Sequence, residues 1–80
     1  MTETTREIPF RDIPVDQLPL LLVASGVDVV TALREAADLE DAVRRVLAQG
    51  IETGVDGGIA YLCEFALEAA QALRRAAMLT

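Results

Sequence analysis

Apolar residues recur with a helical period over most of this chain, and most densely near its C-terminus. Between Ile59 and Met78, IAYLCEFALEAAQALRRAAM, a turn of about 100° per residue gathers Glu64, Glu68, Gln71 and Arg75 on one narrow stripe, with Arg74 at its edge. The remaining circumference, roughly 240°, is apolar, where an ordinary surface helix shows a ~100° stripe. Ile59, Leu62, Ala66, Ala69, Leu73 and Ala76 alternate spacings of three and four along the middle of that surface. Tyr61 and Phe65 form one shoulder, and Cys63, Leu67 and Ala70 the other. The pattern predicts a long central helix contacted on three sides, whose alanines let neighbours approach closely. Glutamates early and arginines late suit the helix dipole.

Upstream, Ser25 and Asp28 have the spacing of a capping box ahead of Val29, Val30, Leu33 and Ala37, which predicts a helix to about Ala37. A second stripe, Leu39, Ala42, Val43, Val46 and Leu47, is rotated by roughly 120° from the first. The simplest account is a break at Asp38, itself a good N-cap, with Gly50 closing the second helix. Glu40 with Arg44 and Asp41 with Arg45 stand as i,i+4 pairs worth about 0.2–0.5 kcal/mol each. The glycine-rich run from Gly50 to Gly58 reads as a connector, with Asp56 capping the last helix. The rival reading takes Gly50, Gly54 and Gly58 as one groove in a continuous rod.

Nearer the N-terminus, Ile8-Pro9 and Ile13-Pro14 push the residue before each proline toward extended conformations. Ile8 to Val15 is therefore expected to be an arm whose apolar side chains, Ile8, Phe10, Ile13 and Val15, need cover from the chain's own bundle or from a partner. Asp16 as N-cap and Pro19 in the first turn predict a short helix through Ala24, ended by Ser25-Gly26. Residues Met1 to Glu7 have little to pack and are expected to be disordered. These elements sum to an all-α fold: a small bundle of three to four helices with an extended, proline-containing N-terminal arm (1–15) and a single helical domain (16–80) built on the long C-terminal helix.

Composition sharpens one point. The chain has 80 residues, of which 52% are apolar, and a domain this small buries only about 60% of the surface its unfolded form exposes. More apolar side chain is present than such a core can hold, and contiguous exposed patches are rare on soluble monomers. A homo-oligomer, most simply a homodimer, is expected, with Tyr61, Leu62, Phe65, Ala66, Ala69 and Leu73 joining the arm residues as interface candidates. The net charge of −6 argues against nucleic acid and anionic membranes as partners, since both call for a basic footprint. All seven cationic residues are arginine, a usage that suits a GC-rich bacterial or phage genome and bears on origin only.

Candidate chemistry is sparse. There is no histidine and a single cysteine, so the usual general bases, zinc sites and thiol nucleophiles lack their residues, and neither enzymatic activity, a metal nor a cofactor is expected. Cys63, on the apolar side of the long helix, reads as a buried structural thiol. Glu64 and Glu68 read as a solvated stripe. Gly54-Val55-Asp56-Gly57-Gly58 has the glycines of an anion-binding loop but no lysine, serine or threonine to complete one. With no secretory signal pattern and no apolar run of bilayer length, the cytoplasm is the expected location.

Gly26-Val27-Asp28-Val29-Val30-Thr31-Ala32-Leu33 resembles the helix-start segment of acyl carrier proteins, which are also small, acidic and helical. In that family a serine follows the aspartate and carries the phosphopantetheine arm. Val29 stands there in this chain, so the resemblance implies no carrier function. The leading expectation is a non-enzymatic module for self-association and protein binding. Two alternatives are an acidic regulator or inhibitor, antitoxin-like or phage-encoded, and a carrier of an apolar small molecule.

Overall fold

In the computed structural model, which describes residues 3–13 and 18–78, the chain forms β1 (Ile8–Ile13), β2 (Leu18–Val23), α1 (Val29–Thr53) and α2 (Gly57–Ala77). The all-α bundle of three to four helices is thereby overturned: the described residues hold two helices and one antiparallel β-hairpin. The correction lies between residues 16 and 24. Pro19 is tolerated at a helix start, but it also holds Leu18 extended, as Pro9 holds Ile8. A two-stranded sheet is all edge, the setting in which a strand accommodates proline. Ile8 pairs with Val23, Pro9 with Leu22, Phe10 with Leu21, Asp12 with Pro19 and Ile13 with Leu18. Asp16, expected as an N-cap, lies outside the described residues.

The hairpin is anchored at its base by a residue of the supposedly unpacked tail. Thr5 is 4% exposed. Its amide donates to the Val27 carbonyl at 2.6 Å and its carbonyl accepts from Gly26. Its hydroxyl donates to the Ala24 carbonyl at 2.7 Å and accepts from the Val27 amide at 3.1 Å. The Arg6 amide donates to the Ala76 carbonyl, so the segment before β1 is tied both to the turn before α1 and to the end of α2.

α1 begins one residue after Asp28, whose carboxylate accepts from the Thr31 amide and hydroxyl, each at 3.3 Å; the N-cap is Asp28 and not Ser25. The helix then passes Asp38 without a break. The apolar stripe that appeared to change phase there was not the packed one. Ala32, Ala36 and Val43 are buried and Leu39 half-buried, a 4-3-4 series that stays in register past residue 38, while Val30 and Leu33 lie exposed on its flank. Helices that approach closely select alanines for their seam. α1 also passes Gly50, over which the Val55 side chain sits so closely that a Cβ would collide with it. It stops at Gly54, whose φ of 83° only glycine adopts freely. The connector is thus shorter than Gly50 to Gly58, and the continuous rod is not formed. Asp56 caps α2 as expected, accepting from the Ile59 amide at 2.8 Å.

Across from α1, α2 offers Cys63, Ala70 and Ala77, one residue every second turn, all buried. Ala36 and Ala70 are both 0% exposed. The strands contact α2 but, among the described residues, not α1. Ile8, Val23, Ala72 and Ala76 make a second small core there, with Phe10 and Leu73 against it. α1, α2 and the hairpin therefore lie side by side in one layer, 46 × 35 × 16 Å. Of the ten buried apolar residues described, six are alanine, so both the seam between the helices and the contact of α2 with the hairpin are built on small side chains.

Candidate interaction surface

The sequence places two apolar flanks on α2, and the fold treats them differently. Toward the hairpin, Tyr61, Phe65 and Glu68 follow one another at i, i+4 and i+7 and meet Phe10 and Arg11 of β1. The Phe10 and Phe65 rings are 6.4 Å apart at 51°. The Arg11 guanidinium lies 4.9 Å from the Phe65 ring centre and 5.4 Å from that of Tyr61, within cation–π range. Its Nε stands 3.1 Å from Glu68 Oε1, and the Arg11 amide donates to the same oxygen at 3.2 Å. That amide is free because Arg11 has a φ of 55°, a left-handed conformation unusual for a residue with a Cβ. It interrupts the ladder between Phe10 and Asp12. Nε and Nη2 are both enclosed and neither makes a hydrogen bond among the described residues, so the side-chain contact with Glu68 is an ion pair only. The cluster fastens the hairpin onto α2, and Glu68 is part of it, not of a solvated stripe.

On the other flank a groove of about 370 Å³ runs between the helices. Its α1 wall is Ala42, Val43, Val46 and Gln49; its α2 wall is Ile59, Leu62, Cys63 and Ala66. Leu62 is 65% exposed although it sits in the middle of the stripe read as core. Cys63 is a free, buried thiol. On the reverse side of the helix pair, the Arg74 guanidinium grips Glu40 with two hydrogen bonds, 2.9 Å from Nε and 2.6 Å from Nη2. Glu40 therefore pairs across to α2 and not with Arg44, whereas the Asp41–Arg45 pair forms at 3.0 Å. Hydrogen bonding to Arg74 holds the Glu40 carboxyl below its ordinary range, and the same contact raises Arg74.

The residues expected at an interface are thus dispersed. Ile8 is spent in the chain's own core, with Phe10 half-buried against it. Ile13 belongs to β1, and Val15 lies outside the described residues. Phe65 is half-buried beside Phe10, and Tyr61 remains largely exposed. Leu62 and Ala66 line the groove, while Ala69 and Leu73 are half-buried. Sequence reasoning missed Arg11, and it placed Val46 within an ordinary helical stripe. The signal for Arg11 was present in the Tyr61-Phe65-Glu68 series, two rings and an acid on one line of a helix.

Among the described residues, no group of three or more His, Cys, Asp or Glu side chains could hold a metal ion, and no helix is long and apolar enough to cross a membrane. Compared with models of protein families, with curated proteins and with solved structures, the chain matches none.

Proposed function

We propose that this chain is a non-enzymatic interaction module that docks another polypeptide on the open flank of its helix pair. The observation that carries this reading is the excess of surface. A compact chain of 8.6 kDa exposes about 4,700 Å², and this one exposes 5872 Å². Its radius of gyration, 14.5 Å, likewise exceeds the roughly 11.6 Å of a globular domain of this length. A single layer leaves both broad faces of the helix pair uncovered, and the face that carries Val46, Ile59 and Leu62 is apolar. Helix faces of this kind are covered by another helical surface in known modes of recognition.

A photo-crosslinking amino acid in place of Leu62, in the full chain expressed in its native host, tests the reading. Covalent adducts to a polypeptide are expected from that position and not from Glu64, on the polar stripe. Equal labelling from both positions, or none from Leu62, overturns it. A second reading, a carrier of an apolar small molecule, is favoured by the groove's volume, which falls in the usual range for ligand sites, about 300–1,000 Å³. Native mass spectrometry of the protein purified from cells separates the two, since a carrier retains bound mass.

A further inference from the structure

We infer that the occupant of the open groove is a second copy of this chain, related by a two-fold axis, so that two helix pairs close into one four-helix bundle. This rests on the reading of the groove as a polypeptide-docking surface, and three observations choose the copy over a foreign partner.

The first is area. The surface beyond that of a compact chain amounts to about 1,200 Å², and a standard interface removes about 800 Å² from each partner. The excess is larger than that, and removing it from two copies buries about 2,400 Å² in total, within the range of obligate homodimers, about 2,000–5,000 Å².

The second is charge. A two-fold contact brings the same patch against itself, so a charged lining would meet its own sign. Charged residues make up 25% of the chain, which carries a net −6, yet none lines the groove. Its one polar side chain, Gln49, carries both donors and an acceptor in a single amide, so it can pair with its own image as a carboxylate or guanidinium cannot. A surface built to recognise a foreign basic partner would show the chain's acids there. They lie elsewhere, Glu40 on the reverse side held by Arg74.

The third is relief. Leu62 and Val46 stand out from the same face that Ala42 and Ala66 hollow, so one copy supplies both the ridges and the grooves that interhelical packing requires.

Sedimentation equilibrium and native mass spectrometry of the full chain at micromolar concentration test the inference. The expected species is twice 8.6 kDa, and Leu62→Glu is expected to weaken association at least tenfold with far-UV circular dichroism unchanged. Leu67→Glu is the control. It replaces another exposed leucine, roughly 140° round α2 from Leu62, and is expected to leave the dimer intact. Should Leu62→Glu fail to fold, Val46→Glu puts the charge on the opposite wall of the groove. A wild-type monomer overturns the inference, as does a dimer that survives both groove substitutions or is lost equally with Leu67→Glu. A monomer that still crosslinks from position 62 to a foreign chain overturns this inference alone. A monomer with no adduct there removes the docking surface as well.

Discussion

The two apolar flanks of α2 have similar sequences and opposite surroundings. One, at Phe65, Ala72 and Ala76, is roofed by a hairpin that begins some fifty residues earlier in the chain; the other, at Ile59, Leu62 and Ala66, opens onto solvent. Nothing in the helix itself distinguishes them. The hairpin closes the first flank because β1 brings one ring and a cation: Phe10 lies tilted against Phe65, and Arg11 spans Phe65, Tyr61 and Glu68. The second flank has no counterpart, since α1 packs edge-on through its alanine seam and leaves Val46 and Ala42 facing the same way as Leu62. Covered and open apolar surface are thereby divided between the two sides of one helix.

That division orders the expected effects of substitution. The largest falls on the covered side: Ile8→Ala removes a buried side chain from the hairpin core and should cost about 2–5 kcal/mol, read as a drop in the urea midpoint. A loss under 1 kcal/mol would mean that the hairpin contributes little to holding α2. Glu68→Ala comes next, at about 1–2 kcal/mol, because it strips the partly wetted Arg11 guanidinium of its ion partner and its amide of an acceptor. A neutral result would return Glu68 to the solvated stripe.

Smaller again is the effect of acid on the Glu40–Arg74 pair. The Glu40 pKa is lowered in the folded state, so its contribution is present above the ordinary carboxylate value of about 4.5 and is lost as pH falls below it. Arg74, raised by the same contact, stays charged throughout the acid range, so the loss of the pair follows protonation of Glu40 alone. The native protein should therefore lead Arg74→Gln in urea midpoint near neutral pH, and the gap should close in acid; a gap constant with pH would show that the pair is not formed. The smallest effect belongs to the open side. At concentrations low enough to keep the chains apart, Leu62→Ala should change stability by no more than about 0.5 kcal/mol, as a surface substitution does. The helical pattern taken alone assigns Leu62 to the core, with a loss of about 2–5 kcal/mol. A measured loss of that size would abolish the difference between the flanks.

Much of the helical part was legible in the residues. The extent of α2, its cap at Asp56 and the burial of Cys63 follow from a strong period, an acid three residues before Ile59 and a thiol among apolar neighbours. Those features are local, encoded within a turn or two of where they act. Which stripe becomes the seam was not legible. On a surface that is apolar most of the way round, period alone ranks Leu62 with Cys63 and Leu33 with Ala36. Only the approach of the second helix, close enough to prefer alanine, decided for the smaller residues. The hairpin was illegible for a related reason. Leu18-Pro19 satisfies both a helix start and an extended strand, and the choice rested on Ile8 to Ile13 lying alongside, a contact that no local pattern carries. Arg11 follows from that same contact, since its conformation and its partners on α2 exist only once the strands have paired.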